Sequence, residues 1–346
     1  MNLVTESAIV KAIKTNARFF AIREPGSVDF TFGAQTHTQA TDNDTFIIAP
    51  FDCSQFPIVK IVNQVSATAF LATPMSDNEA IADASEPYIS KKDYLEQAEA
   101  IIGAIQAGLL KKAILSHPIT TPSDISAEHW CKILSALANK YPNATVFIFN
   151  TQETGFWLGA TPELLGKYDG TVFSTMALAG TKKSGCGIEW TTKEHDEQKI
   201  VADFIVDKIK SFGATPAISA TYTRNAGPVE HLCTDISCKI DHRDAQNLVD
   251  SIYPTPAVSG FPKERAIRLI SSIEKHKRRY YGGYFGLLRQ SGDFRFYVNL
   301  RSLTFDKKCH TIFVGGGITS DSVPENEWSE IINKASTLTS IINTSE

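Results

Sequence analysis

The chain has 346 residues, 42% hydrophobic and 21% charged, with a formal net charge of −4. That length supports a substantial core, arranged as one large domain or two ordinary ones. The mildly acidic balance argues against a general nucleic-acid binder, which needs a basic face, and no run approaches the ~18 apolar residues of a membrane span.

In chain order, the opening Met1-Asn-Leu-Val-Thr-Glu6 lacks the basic-then-apolar pattern of a signal peptide. Six dispersed cysteines, with only Cys233 and Cys238 close together, complete no zinc pattern and read as reduced thiols. A cytoplasmic location is therefore expected. Within residues 1–85, Phe19-Phe-Ala-Ile-Arg23, Thr45-Phe-Ile-Ile-Ala49 and Phe56-Pro-Ile-Val-Lys-Ile-Val62 read as strands, and the polar stretch 73–92 as a loop. Tyr94, Ala98, Ile101, Ile102 and Ile105 recur at helical spacing and stop at Gly108. A strand at Lys112-Ala-Ile-Leu-Ser-His117, a helix over 127–140 and strands over 144–150, 155–159 and 170–178 follow. Helices are expected over 192–211 and 262–276, strands over 282–288, 294–303 and 310–314, and a last helix from Pro324. Few of these alternate as βαβ units, and no linker divides the chain. The pattern predicts a single α+β domain with large, mainly antiparallel sheets.

The terminal segment Phe313-Val-Gly-Gly-Gly-Ile-Thr-Ser-Asp-Ser-Val-Pro-Glu-Asn-Glu-Trp-Ser-Glu-Ile-Ile-Asn-Lys334 carries the densest chemistry. A helix there puts Glu327, Glu330 and Lys334 on one face just past a glycine turn, suited to a metal ion and an anion. On that window alone, a solvated face with one Glu330–Lys334 pair is the favoured reading. Other motifs mislead. Gly159-Ala-Thr-Pro-Glu-Leu-Leu-Gly166-Lys167 has the wrong spacing for a phosphate loop, and Gly315-Gly-Gly317 lacks the dinucleotide-binding spacing. Sequons at Asn43, Asn143 and Asn343 mean little without a secretory signal, and spacing alone makes His231, beside Cys233, a structural histidine.

Taken together and in order, several segments resemble the chorismate-utilising enzymes, the group of isochorismate, salicylate, anthranilate and aminodeoxychorismate synthases. They are Lys112–His117, Phe156-Trp-Leu-Gly-Ala-Thr-Pro-Glu163, Met176-Ala-Leu-Ala-Gly-Thr181, Lys193-Glu-His-Asp-Glu197, Glu230-His-Leu-Cys-Thr234, Pro254-Thr-Pro-Ala-Val-Ser-Gly260, Tyr281-Gly-Gly-Tyr-Phe-Gly286, Val298-Asn-Leu-Arg301 and Gly315–Lys334. The resemblance covers about residues 88–342; residues 1–85 are a divergent, β-rich part. It implies two large sheets with helices packed outside, in one domain spanning 1–346.

Water-using members resemble this chain in having a lysine before the Ala-Ile-Leu strand. Ammonia-using members typically lack it and carry a Pro-Gly-Gly-Ser or Ala-Pro-Gly-Thr type of segment in place of Pro254–Gly260. The resemblance thus implies an isochorismate synthase that turns chorismate into isochorismate by water attack at C2 with loss of the C4 hydroxyl. Salicylate synthase, which would go on to eliminate pyruvate, is the alternative. Less favoured are anthranilate or aminodeoxychorismate synthase and a non-catalytic ligand-binding relative.

By the same resemblance Lys112 is the base and Glu163 the acid. A lysine working as a base near pH 7 calls for a pKa depressed by roughly three units, about 4 kcal/mol, from burial or a nearby cation. Glu163 must carry its proton, so its pKa should lie above the usual carboxyl range. Glu197 and Glu330 are the implied magnesium ligands, with Glu327 and Glu194 one turn away; for Glu194 a charge favoured by the helix dipole is an equal reading. Arg301, Lys334, His231 and the backbone N–H groups of Gly315, Gly316 and Gly317 at the helix start are the implied substrate contacts. The expected partner is chorismate alone, taken up by a monomer without an obligate glutaminase subunit. His117 stands where the family often has arginine, and the stretch from Thr181 to Glu197 is shorter than usual.

Overall fold

The computed structural model describes residues 1–36, 44–74 and 82–344, so part of the predicted 73–92 loop and the Asn43 sequon lie outside the described residues. Two nine-stranded sheets organise the chain, and every strand pair is antiparallel. The first sheet runs from edge to edge through Gly260–Phe261, Lys112–Pro122, Cys309–Ile318, Ser302–Phe305, Phe156–Thr161, Thr145–Asn150, Phe19–Arg23, Thr31–Gln35 and Gln64–Val65. The second runs through Ala217–Ile218, Val229–Lys239, Val172–Lys183, Leu164–Tyr168, Phe294–Val298, Tyr284–Leu288, Thr45–Ala49 and Val59–Ile61, with Tyr222–Ala226 also on Val229–Lys239. The divergent N-terminal part supplies strands to both sheets.

Between the sheets lies an aromatic core. Phe20 of the first sheet stacks on Phe46 of the second with centroids 4.0 Å apart, and Phe147 meets Phe285 at 4.1 Å. Each buried ring contributes roughly 2–3 kcal/mol through lost apolar surface. The helices lie outside, as expected: α1 (Leu3–Lys14), α2 (Ala67–Ala72), α3 (Lys91–Gln106) and α4 (Ala127–Lys140), then α5 (Thr192–Ser211), α6 (His242–Ile252), α7 (Lys263–Ile273) and α8 (Pro324–Ile342). Helices α1, α3, α4, α7 and α8 cover the first sheet, and α5 and α6 the second. Their starts are chemically marked. Ser90 and Asp93 form a reciprocal capping box on α3, and the Ser126 hydroxyl accepts the His129 N–H on α4.

Three local expectations need correction. Helices α1, α2 and α6 and the strands between Ala217 and Lys239 were not foreseen. The single strand expected over 294–303 breaks at Asn299–Arg301, where the chain leaves the second sheet and joins the first, with Arg301 at φ +49°. Gly315–Gly317 form no turn at a helix start. They lie inside the strand Cys309–Ile318, paired with Ser116, Leu115 and Ile114, seven residues before α8 begins.

Candidate active site

Two neighbouring crossings between the sheets build one wall of the main cleft. Strand Phe156–Thr161 passes to the second sheet through Pro162-Glu163, while Phe294–Val298 passes back to the first through Asn299-Leu300-Arg301. Backbone bonds hold the crossings together: Val298 N–H donates to Glu163 O at 3.1 Å and Ala160 N–H to Arg301 O at 3.1 Å, and the Thr161 hydroxyl donates to Val298 O at 2.6 Å. Glu163 and Arg301 therefore enter the same cleft. His231, Glu197, Lys334, Gly315, Gly316 and Gly317 line it with them.

Lys112 opens the strand Lys112–Pro122. Its side chain has no exposed surface, and its Nζ sits 2.9 Å from Glu197 Oε1 on α5. Neighbouring Lys111, just before the strand, is exposed, in line with its reading as a solvent-facing lysine. The burial matches expectation, but the nearest charge to Lys112 is an anion and not a cation. Two glycines make room here, Gly260 for the backbone of the strand and Gly317 for the ion pair. A Cβ at Gly260, whose φ is +127°, would lie 2.2 Å from Lys112 O, and one at Gly317 would lie 2.3 Å from Glu197 Oε1. Gly317→Ala is accordingly expected to cost about 1–3 kcal/mol by overpacking, read as a lower denaturant midpoint. An unchanged midpoint would mean that the Lys112–Glu197 pair gives way freely.

Glu163 is 3% exposed. Burial pushes its carboxyl up to about 8, opposed only in part by the Lys112 charge, so at neutral pH it holds its proton. Glu197 goes the other way. Burial raises it, but the Lys112 charge and hydrogen bond, with Lys334 and Lys193 beyond, outweigh burial and hold it below the usual carboxyl range.

The terminal helix delivers the face read from sequence. Lys334 Nζ is 2.8 Å from Glu330 Oε1 and donates to Gly315 O at 3.0 Å. Glu327, 2% exposed, accepts from Lys193 Nζ at 2.7 Å. Burial and the neighbouring Glu330 charge raise Glu327, with Lys193 pulling against them. Three glutamates are thus matched by three lysines. Glu194 takes the other reading open to it: its carboxylate accepts the Thr191 N–H at 2.9 Å and caps α5.

Arg301 and His231 act as a unit. His231 Nδ1 is 2.8 Å from Gly180 O, which can only accept, and Nε2 is 2.8 Å from Arg301 Nη2, which can only donate. The ring is therefore the neutral Nδ1–H tautomer. Burial first, then the Arg301 and Lys334 charges, hold its pKa well below the usual value. Both ring nitrogens are engaged, so His231 serves the cleft chiefly by aiming Arg301. Arg301 also donates to Ala226 O and Thr337 Oγ1, which among the described residues leaves Nε–H and one Nη2–H for a carboxylate. Burial lowers its guanidinium to about 10, and it stays charged at neutral pH.

Sequence reasoning overlooked three lining or flanking residues. Lys193 lay inside a quoted motif, but its pairing with Glu327 joins two distant helices. Tyr281 places its hydroxyl 3.0 Å from where a Gly315 Cβ would stand. Arg278 lines the cleft yet is committed elsewhere, to Glu274 at 2.6 Å and to Val258 O and Ile114 O. His117 is buried against Tyr94 and Trp328, with ring centroids 5.8 and 5.1 Å away, so the imidazole packs beneath the helix that carries Glu327 and Glu330.

The donor set suits magnesium, which prefers hard oxygens, keeps several waters and needs few protein carboxylates. Glu197 and Glu330 come from two helices to adjacent glycines; Glu330 Oε1 would lie 3.7 Å from a Gly316 Cβ. Among the described residues the three glutamates do not already converge as a ligand triad. The one trio that does, Asp83, Asp306 and Cys309, lies elsewhere, and its Asp306 carboxylate accepts the N–H groups of Ala84, Lys308 and Cys309 as a turn cap.

No helix among the described residues is long and apolar enough to cross a membrane. The chain is 27% identical over 271 residues to anthranilate synthase component 1 of Thermus thermophilus, covering 74% of this chain and 58% of that one. It is 27% identical over 266 residues to isochorismate synthase EntC of Escherichia coli, covering 73% and 68%. The match spans little more than half the length of several anthranilate synthase chains, those of Thermus thermophilus, Acinetobacter calcoaceticus and Bacillus pumilus among them. Its fold is that of MenF, the menaquinone-specific isochorismate synthase of Escherichia coli, with a TM-score of 0.81 at 20% identity over 99% of this chain and 91% of that one. Residues 24–340 match the chorismate binding enzyme family, and with these relatives and this fold the chain belongs to it.

Proposed function

We propose that the chain is a magnesium-dependent isochorismate synthase. The observation that carries the reading is a pair of proton carriers at one cleft: the protonated, buried carboxyl of Glu163 in its lining, and Lys112 buried directly behind the lining residues Glu197 and Gly317. Lys112, paired as an ammonium with Glu197 in the resting site, serves as base once it has released that proton. Water then attacks C2 of chorismate and gives its proton to the Lys112 amine. The ring double bonds shift, and the C4 hydroxyl leaves with the proton of Glu163 as water. One water enters and one departs, so the product is an isomer of the substrate.

The dianionic substrate needs cations in a poorly solvated cleft. Arg301 presents its free N–H groups to one carboxylate, and Lys334 adds a second positive charge. Glu197 and Glu330, with Glu327 behind them, would hold magnesium, which would supply positive charge to offset the other carboxylate. With water as nucleophile, no ammonia-supplying subunit is needed.

The anthranilate synthase relatives favour a second reading, an ammonia-using enzyme, against which Lys112 stands. Incubation of the purified protein with chorismate and Mg²⁺, followed by chromatography, is expected to yield isochorismate, and EDTA to abolish it. Fluorescent salicylate would move the assignment to salicylate synthase, and anthranilate formed in ammonium salts would move it to the second reading. Binding without any product would indicate a catalytically silent relative.

A further inference from the structure

Lys193 stands at a place that the helix itself does not favour. It lies in the first turn of α5, where the positive end of the helix dipole repels a cation and welcomes an anion such as Glu194. It is four residues before Glu197 and so shares its face. Its Nζ bonds Glu327 at 2.7 Å, and no other hydrogen-bond partner is found among the described residues. It also feels the charges of Glu330 and Glu197. One ammonium therefore sits in the common field of all three carboxylates assigned to the metal.

The three lysines that balance these glutamates differ in their freedom to leave. Lys112 has no exposed surface and is fixed on a strand. Lys334 is 14% exposed and is tied both to Glu330 and to Gly315 O. Lys193 is 28% exposed, hangs on one carboxylate, and has a flexible stem that reaches solvent. With all three in place the glutamates are neutralised. A divalent cation added on top would leave two excess positive charges in a largely buried site, a costly state. Releasing one ammonium halves that excess.

We propose that Lys193 is a built-in stand-in for the divalent cation: it satisfies the three glutamates in the metal-free protein and swings out toward solvent as the metal enters. The inference rests on the assignment of Glu197 and Glu330 as metal ligands. It makes metal uptake an exchange of cations, so the intrinsic affinity of the carboxylates is masked by the lysine that must be displaced.

Calorimetric titration of Mg²⁺ into the substrate-free protein tests this, with Mn²⁺ and electron paramagnetic resonance as a second probe. Lys193→Gln is expected to bind Mg²⁺ about tenfold more tightly than wild type, because a competing unit charge has gone. Its metal-free form should melt lower than wild type, and Mg²⁺ should raise its Tm by more. Lys193→Arg, which keeps the charge, should stay near the wild-type affinity. Equal or weaker binding by Lys193→Gln, with the wild type still binding and Glu330→Gln not, overturns the stand-in role while leaving the metal site intact. Absence of Mg²⁺ binding in every variant, or binding undiminished in Glu330→Gln, overturns the metal assignment itself and this inference with it.

Discussion

Glu163→Gln is expected to abolish turnover and to make the protein more stable in alkali. The two effects share one cause. In the folded chain the carboxyl is pushed up to about 8 by burial, whereas in the unfolded chain it ionises near the ordinary value of ~4.3. Between those values the folded state holds a proton that the unfolded state has released, so stability falls as pH rises. The penalty is absent below about pH 4, grows through neutrality and is complete above about pH 8. Its full size is roughly 5 kcal/mol. Glutamine keeps the shape, cannot ionise and removes the penalty, but it cannot donate an acidic proton. Loss of a general acid lowers the rate by about 10²–10⁴-fold. Thermal melts of both proteins at pH 5 and pH 9 check the claim: the variant should gain far more on the wild type at pH 9 than at pH 5. Equal gains at both would mean that Glu163 is not a neutral buried acid. In the wild type the same group predicts that activity declines as pH passes about 8.

The second large effect is at Lys112. Lys112→Ala should lower turnover by about 10²–10⁴-fold through loss of the base and should also destabilise the fold. The lysine is the nearest cation to Glu197, and breaking a buried pair leaves an uncompensated charge, at about 3–5 kcal/mol. Lys193 and Lys334 nearby soften this toward the lower end. Lys112→Met combined with Glu197→Gln removes both charges while keeping the volume. It should regain most of the stability and none of the turnover, which chemical denaturation and a product assay would separate. Wild-type rate in Lys112→Met alone would remove Lys112 from the chemistry.

Features set by neighbouring residues could be read from the sequence. Ser90 with Asp93 and Ser126 with the turn after it mark helix starts without tertiary context, and α3 and α4 fall where expected. The acidic face of α8 follows from helical periodicity alone. Features set by partners distant in sequence could not be read that way. The alternation that suggests one strand over 294–303 continues in register while the partner sheet changes, so nothing local announces the break at Arg301. Glycines 315–317 look like a turn because glycine usually breaks strands. Here their lack of side chains lets Glu197, Tyr281 and Ile331 approach. Helix α1, with Val4, Ile9, Val10 and Ile13, reads as readily as strand as helix. The lysine beside each of these carboxylates comes mostly from another element, and for that reason the anion next to Lys112 could not be read from the sequence.

The stitched crossings at Thr161–Glu163 and Val298–Arg301 have a mechanical consequence. Because each segment bonds the other where it passes between the layers, sliding of one layer over the other would carry the Glu163 carboxyl and the Arg301 guanidinium together. Their separation is insulated from the slow breathing of the scaffold, while the lysine and glutamates, borne by other strands and outer helices, are free to adjust around that fixed ruler.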